Sequence, residues 1–293
     1  MSAAKFIYQK TIQKKVSTKG IGLHSGKSVK MSLLPAPENS GIVFKRTDVE
    51  KAHAIITADF RAVSATTLGT TLENEFGVEV ATIEHLVAAL WGMEIDNVLV
   101  EVDAPELPIM DGSSAEFMKL ISKAGVAEQA APRKILRILQ EIRVGDKQNY
   151  AKLIPYDGFS VRFEIDFDDK AISRQKNEFT FVEDTFCNDI AGARTFCMKR
   201  DVDMMHAAGL ARGGSLENAI VVDDGKVLNA EGLRFTDEFV RHKILDSIGD
   251  LYLSQHRIQG GYIGYKAGHK INNQALRTLF NTPKAWELID AIA

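Results

Sequence analysis

Two stretches decide how this chain is organised: Ala81-Thr82-Ile83-Glu84-His85-Leu86-Val87-Ala88-Ala89-Leu90-Trp91-Gly92 and Glu238-Phe239-Val240-Arg241-His242-Lys243-Ile244-Leu245-Asp246-Ser247-Ile248-Gly249. Each carries a histidine and then a glycine at the same separation, and both read as helices. The first is apolar almost all round from Ile83 to Trp91, which marks a buried helix. The second is expected over Asp237–Ser254, with Val240, Ile244, Ile248, Leu251 and Tyr252 recurring at helical spacing on its buried face. Thr236 is the expected N-cap, Asp237 and Glu238 suit the positive end of the dipole, and Phe235 is placed to staple onto Val240.

Working outward, a strand pair precedes each helix. Lys27–Leu34 and Gly41–Arg46 flank a turn at Pro35 to Ser40. Tyr150–Ile154 and Phe159–Phe167 flank Pro155-Tyr156-Asp157-Gly158, and the later strand alternates, with Val161, Phe163, Ile165 and Phe167 on one face. The pattern reads as a weak tandem duplication of a strand-rich α+β unit. The joint is expected near Ala130-Ala131-Pro132-Arg133, after a helix Ser114–Lys123, with strand Ile135–Val144 opening the second half. That divides the chain into 1–130 and 133–293, and 293 residues are comfortable for two domains.

A 45% hydrophobic, 26% charged composition excludes disordered, collagenous and coiled-coil readings. The formal charge of −3 gives no bulk attraction to nucleic acid or an acidic membrane. Two cysteines, Cys187 and Cys197, make neither a disulfide framework nor a thiolate zinc site, and fit a reducing compartment. Met1 to Ser17 lacks the apolar run and cleavage site of an export signal, and no window reaches membrane-spanning length. The expectation is a cytoplasmic protein without stable membrane insertion, here taken as a monomer.

The chemistry concentrates on the two helices. His242 and Asp246 lie one turn apart, within roughly 40° on one face, so an imidazole and a carboxylate can reach one metal ion. Asp250 continues the line. The plain alternative is a surface His–Asp pair. On the buried helix, Glu84 and His85 are the polar exceptions, and buried charge is costly unless paired or metal-bound. The alternative is a histidine satisfied by a backbone carbonyl, with Glu84 facing solvent. Together the helices offer His85, His242 and Asp246, a three-ligand set of the catalytic zinc type, with Glu84 placed to act as base. Fe2+ suits the same donors.

His269 follows Gly268, between strand Tyr262–Lys266 and helix Ile271–Phe280. It is expected to be exposed and to act as a general acid held protonated by Asp250, or else to be an ordinary loop histidine. Lys243, next to His242, is a candidate grip on an anionic part of a substrate. Thr195, in the turn Gly192-Ala193-Arg194-Thr195-Phe196, can offer a hydroxyl to an oxyanion. The runs Gly20–Gly26 and Gly209–Gly214 are not dinucleotide fingerprints and read as substrate-lining or tight-turn loops.

Six segments carry a resemblance over nearly the whole chain: Gly22-Leu23-His24-Ser25-Gly26, Thr82-Ile83-Glu84-His85-Leu86, Pro108-Ile109-Met110-Asp111-Gly112-Ser113, Ala193-Arg194-Thr195-Phe196, Asp237 to Asp246, and Gly268-His269. In this order they resemble the UDP-3-O-acyl-N-acetylglucosamine deacetylases, zinc amidases that commit Gram-negative bacteria to lipid A synthesis. The resemblance implies two similar α+β domains, each a sheet packed on a pair of helices, with the metal site between them. It implies metal ligands His85, His242 and Asp246, the base Glu84, the acid His269 oriented by Asp250, and Thr195 at the oxyanion. Lys243, Phe196, Leu68 and His24 are implied to bind substrate. Leu68-Gly69-Thr70 and Cys197-Met198 depart from the family's forms, which leaves the acyl length open. With Ala293 soon after the last expected helix, no fused second enzyme is expected.

The implied reaction is hydrolysis of the 2-acetamido group of an acylated UDP-sugar. Val202, Met204, Met205, Ala207, Ala208, Leu210 and Leu216 are the expected wall of an acyl channel, or else plain core. Two rivals stand beside this reading. One is a non-haem iron oxygenase, which uses the same three donors. The other is a non-catalytic α+β binding module with structural histidines.

Overall fold

The structure is a computed structural model that describes residues 5–292. Met1–Ala4, the head of the segment read for an export signal, and Ala293 lie outside the described residues. The fold is α+β, with two larger sheets and five helices of the α type among the described residues: α1 Glu84–Gly92, α2 Ala115–Ala124, α3 Lys199–Ala207, α4 Glu238–Tyr252 and α5 His269–Phe280.

The larger sheets share one plan. The first runs in the order Val16–Ile21, Ser28–Pro35, Val98–Val102, Ile42–Arg46, Ile55–Thr57. The second contains Ile142–Gly145, Tyr150–Ile154, Arg257–Tyr265, Phe159–Asp166 and Arg174–Thr180 in the matching order, and is extended by Lys134–Ile138 and Trp286–Asp290. In both, the central strand is the last of the five shared strands to arrive, after α1 or α4. It runs antiparallel to the neighbour on one side and parallel to the one on the other. The expected strand pairs therefore exist as strands but not as hairpins. Ser28–Pro35 and Ile42–Arg46 are parted by Val98–Val102, and Tyr150–Ile154 and Phe159–Asp166 by Arg257–Tyr265. A parallel partner needs a long crossover, and the helix supplies it.

Alternation explains which faces are buried. Val29, Met31 and Leu33 on one strand, and Val161, Phe163 and Ile165 on another, point into one continuous apolar core. Phe167 continues that sequence pattern but lies beyond the strand and is exposed. Helix α1 is buried from Glu84 to Trp91, as its all-round apolarity requires, because it packs on both α2 and α4. The repeated glycines mark close approaches. A Cβ on Gly249 would sit 2.2 Å from the Glu84 carbonyl oxygen, so α4 can meet the head of α1 only with glycine there. A Cβ on Gly92 would sit 2.2 Å from the Phe186 ring.

Several element bounds differ from the sequence reading. Helix α1 starts at Glu84 and not Ala81, because Thr82 takes a left-handed φ of 56° that a helix cannot include. At the head of α4 the cap position is Asp237, not Thr236, and it makes no side-chain cap bond. Its carboxylate is held instead by Arg241 at 2.5 Å and Asn177 at 2.6 Å. Phe235 lies under the Arg241 guanidinium. The expected strand Ile135–Val144 is two strands, broken where the Leu139 N–H turns aside to donate to Ala285. Ala130 to Pro132 belong to strand Val126–Pro132, paired with Tyr8–Ile12, so the expected joint is itself a strand.

Each repeat carries an insert before its helix. The first is a small sheet, Val63–Ala65, Thr71–Glu73 and Glu79–Val80. The second is Phe196–Met198, α3, Ile220–Asp223 and Lys226–Val227. No described helix is long and apolar enough to cross a membrane. Cys187 and Cys197 are both free.

Candidate active site

The α1–α4 contact brings three donors to one point. Imidazole Nε2 of His85 lies 3.6 Å from Asp246 Oδ1, and Nε2 of His242 lies 3.3 Å from the same oxygen. The ligand atoms of all three residues fall within 4.8 Å of one another, and all three side chains are buried. The surface-pair alternative for His242 and Asp246 is thereby removed. Local structure aims each donor. His242 Nδ1 faces the Ala193 carbonyl oxygen at 3.1 Å, which fixes the ring and leaves Nε2 as the lone-pair atom. Burial pushes the His242 pKa down to about 3, so the ring is neutral, the form that ligates.

A cation fits this set. Asp246 Oδ1 is buried with no hydrogen-bond partner. An orphaned carboxylate oxygen flanked by two imidazole nitrogens is satisfied by a shared metal ion. Burial works against the Asp246 charge, but the Lys243 ammonium beside it opposes burial, and the carboxyl is held well below its usual range. Lys243 is therefore not the free grip expected of it: its Nζ donates to Asp246 Oδ2. Burial disfavours its charge too, yet Asp246 keeps its pKa raised.

Glu84 and His269 flank the three donors. Glu84 is buried, not solvent-facing, and its Oε2 accepts from the Thr70 N–H at 3.0 Å. His269 Nε2 stands 4.0 Å from Glu84 Oε1, and its Nδ1 is 2.8 Å from Asp250 Oδ2. The expected exposure of His269 is not observed. It is the first residue of α5 and its side chain is only 11% exposed. Burial opposes the imidazolium, but Asp250 outweighs it and raises the pKa to about 9. The ring is thus a proton donor at neutral pH.

Thr195, Phe196 and Leu68 border two adjoining spaces. One, of about 180 Å3, contains Glu84, His85, His242, Lys243, Asp246 and His269. The other, of about 290 Å3, is mostly apolar and includes Leu23, His24, Val202, Met205, Leu216 and Val221. Phe196 stands edge-on to Phe239 and His242, where the spaces meet. Of the seven expected wall residues, Val202, Met205 and Leu216 line the apolar space; Met204, Ala207, Ala208 and Leu210 do not. Met204 is largely exposed, since α3 has no side sunk in the core. The two glycine-rich loops meet: Gly213 N–H donates to Leu23 O, and Arg212 N–H to His24 O. His24 is further held by Glu106, which accepts its N–H at 2.7 Å.

The family profile described as UDP-3-O-acyl N-acetylglycosamine deacetylase matches residues 9–281. This chain belongs to that family. Proteins named UDP-3-O-acyl-N-acetylglucosamine deacetylase from Shewanella baltica (strain OS155), Shewanella frigidimarina (strain NCIMB 400) and Shewanella sp. (strain ANA-3) are each 50% identical to it over 285 residues, which cover 97% of this chain and 93% of theirs. As a member of the deacetylase family the chain is a hydrolase of amide bonds, and the family is one of metalloenzymes. Neither the oxygenase nor the binding-module alternative is favoured.

Sequence reasoning gave no role to the polar residues that surround Asp250. Thr70, Asn272 and Tyr262 are all buried around Asp250. Arg194 was quoted only within a motif, yet it is a fully buried anchor. It donates to Glu238 at the head of α4 at 2.9 Å, and so fixes the turn that presents Ala193 O and Thr195. No spacing in the sequence announces such residues.

Proposed function

We propose that this chain hydrolyses the 2-acetamido group of UDP-3-O-[(3R)-3-hydroxyacyl]-N-acetylglucosamine, releasing acetate and the free amine, as the committed step of lipid A synthesis. The observation that carries the reading is the meeting of three buried ligand atoms with a carboxylate and a charged imidazole on either side, beside an apolar space. His85, His242 and Asp246 would hold Zn2+, or Fe2+. A metal bound there supplies Lewis acidity, polarising the amide carbonyl and lowering the pKa of a water toward about 7.

The chain's own residues do the rest. Glu84 takes the proton of the attacking water, its carboxylate oriented by Thr70. Thr195 offers its hydroxyl to the developing oxyanion. His269, charged through Asp250, delivers its Nε2 proton to the leaving nitrogen. Lys243 balances the charge of Asp246 and contributes to substrate binding. Phe196, Leu68 and His24 border the acyl-bearing sugar, and the apolar space takes the acyl chain. The two sheets of matching plan support a division at 1–130 and 133–293, with the acyl-binding insert in the second domain. We read the protein as cytoplasmic, monomeric and without nucleic-acid partners, touching the membrane only through its lipid-bearing substrate.

The test is metal content and acetate release measured together on the purified protein, with and without a chelator. One equivalent of metal and chelator-sensitive release are expected. Metal without release would reject the substrate, and oxygen consumption with a 2-oxo acid would turn the site into an oxygenase. No metal would favour the binding module.

A further inference from the structure

Asp250 is held more elaborately than one imidazole requires. Its Oδ2 accepts from His269 Nδ1 at 2.8 Å and from Asn272 Nδ2 at 2.8 Å. Its Oδ1 accepts from the Thr70 hydroxyl at 2.6 Å. The Asn272 amide is itself fixed, because the Tyr262 hydroxyl donates to Asn272 Oδ1 at 2.5 Å. Three donors thus hold both oxygens of one carboxylate, and Thr70, Asn272 and Tyr262 are each no more than 2% exposed. A carboxylate so bound cannot rotate without leaving a buried donor unpaired, which costs about 1–3 kcal/mol for each donor lost.

Thr70 does something no other member of the cluster does. Its hydroxyl reaches Asp250 on α4, and its backbone N–H reaches Glu84 Oε2 at the head of α1. Its carbonyl also accepts from the Ile83 N–H, tying the residue to the entry of α1. Its neighbour Gly69 leaves room for that carboxylate, since a Cβ there would stand 3.0 Å from Glu84 Oε1. Between Glu84 Oε1 and His269 Nε2 lies the 4.0 Å gap where base and acid face each other. One side of that gap is set by the Thr70 N–H, and the other by the Thr70 hydroxyl acting through Asp250.

We propose that Thr70 is a positioning residue that sets the separation of base and acid from a single point, with Asn272 and Tyr262 fixing the second oxygen of Asp250. The assignment rests on the deacetylase reading only for its catalytic consequence; the hydrogen bonding it describes does not depend on the substrate. Thr70 touches no reacting atom. It acts by keeping the Asp250 carboxylate turned toward His269, which keeps the proton on Nδ1 shared with Asp250 and aims Nε2 at the gap. Small errors of placement there are expensive, since a misplacement of about 1 Å can lower a rate about 100-fold.

The experiment compares Thr70→Val, Thr70→Ser and wild type. Valine keeps the shape and the backbone donor to Glu84 but removes the hydroxyl; serine restores the hydroxyl. For Thr70→Val we expect kcat for acetate release to fall about 10- to 100-fold, with KM and metal content unchanged. Thr70→Ser should recover most of the loss. In metal-free protein, the downfield Nδ1–H resonance of His269, seen by 15N-resolved proton NMR, should move or broaden in Thr70→Val and return in Thr70→Ser. If valine does not fold, the smaller Thr70→Ala carries the same comparison with serine. Wild-type kcat and an unmoved resonance in the valine or alanine variant would overturn the assignment. So would a serine variant as impaired as valine, since restoring the hydroxyl would then restore nothing. A wild-type chain that releases no acetate would refute the deacetylase reading, while the His269 resonance would still decide the role of Thr70.

Discussion

Helices α1 and α4 occupy the same place in two sheets of the same plan, yet they carry very different loads. With His85 matched to His242 and Gly92 to Gly249, the counterparts of Lys243 and Asp246 on α1 are Leu86 and Ala89, and that of Asp250 is Met93, just past its end. Helix α1 is a buried apolar rod with a polar head. Helix α4 is just as deeply buried but carries a histidine, a lysine and two aspartates along one side. The difference teaches where buried charge is tolerated. On α4 every such group has a partner: Lys243 meets Asp246, Asp250 has three donors, and His242 has a carbonyl. The exception is Asp246 Oδ1, the atom that asks for a metal.

The contrast is broken most severely at α4. Asp246→Ala is expected to strip the metal and abolish acetate release, and to leave the half-buried Lys243 ammonium without its carboxylate. A fully metallated, active variant, seen by elemental analysis and assay, would remove Asp246 from the ligand set. At the head of α1, Glu84→Ala should lower kcat by about 10²–10⁴-fold while metal content stays at the wild-type level. Near-normal turnover would show that the base lies elsewhere.

The shared glycines test the frame and not the chemistry. Gly249→Ala drives a methyl group against the Glu84 backbone, which cannot yield without moving α1. A loss of about 1–3 kcal/mol is expected in denaturant unfolding, with metal affinity reduced as well. Gly92→Ala meets a phenylalanine ring, which can turn, so its loss should be the smaller of the two. Equal losses would mean that the two contacts are equally rigid.

Two pH experiments sharpen the comparison further. Asp250 raises the His269 pKa to about 9, so the imidazolium persists at neutral pH and is lost as pH climbs through that value. Asp250→Asn should move the midpoint down, and NMR titration of metal-free protein will show it; an unchanged midpoint would deny the pairing. Just beyond α1, Glu94 lies in a cluster with Lys10, Arg133 and Arg257. Burial there opposes its charge, but the Lys10 hydrogen bond and the two arginines hold its pKa at about 2, against an ordinary 4.5. A folded-state pKa below the unfolded one favours folding at neutral pH, and that contribution fades as pH falls from about 4.5 toward 2. Glu94→Gln should flatten this part of the acid-unfolding curve, the smallest of these effects.

Much of the site was legible because helical spacing is local. His242 and Asp246 at four residues, and a Glu-His pair in an apolar run, could be read without knowing the fold. The duplication showed itself through the histidine-to-glycine interval. The sheets were less legible, because the central strands Val98–Val102 and Arg257–Tyr265 insert between strands adjacent in sequence, and only long-range pairing reveals that. Thr70 was invisible for the same reason: it meets Asp250 across 180 positions of chain. His269 looked exposed because a residue after glycine at an element boundary usually is, and nothing in its neighbourhood announces that α5 begins there. Of the seven residues expected to wall an acyl channel, three line the apolar space, since α3 turns Val202 and Met205 inward and Met204 outward.

The place where Gly249 lets α4 lie on the head of α1 has one more consequence. The donors on the two sides of that contact are separated by more than half the chain, so neither half on its own owns a binding site. One half holds a single imidazole, the other an imidazole and a carboxylate, and each is a poor trap for a cation. On the proposed ligand set, a nascent or damaged chain would not acquire the metal until both halves had met. Holding the ion becomes a certificate that assembly is complete, and mass action then makes the ion a lock on the joined state alone.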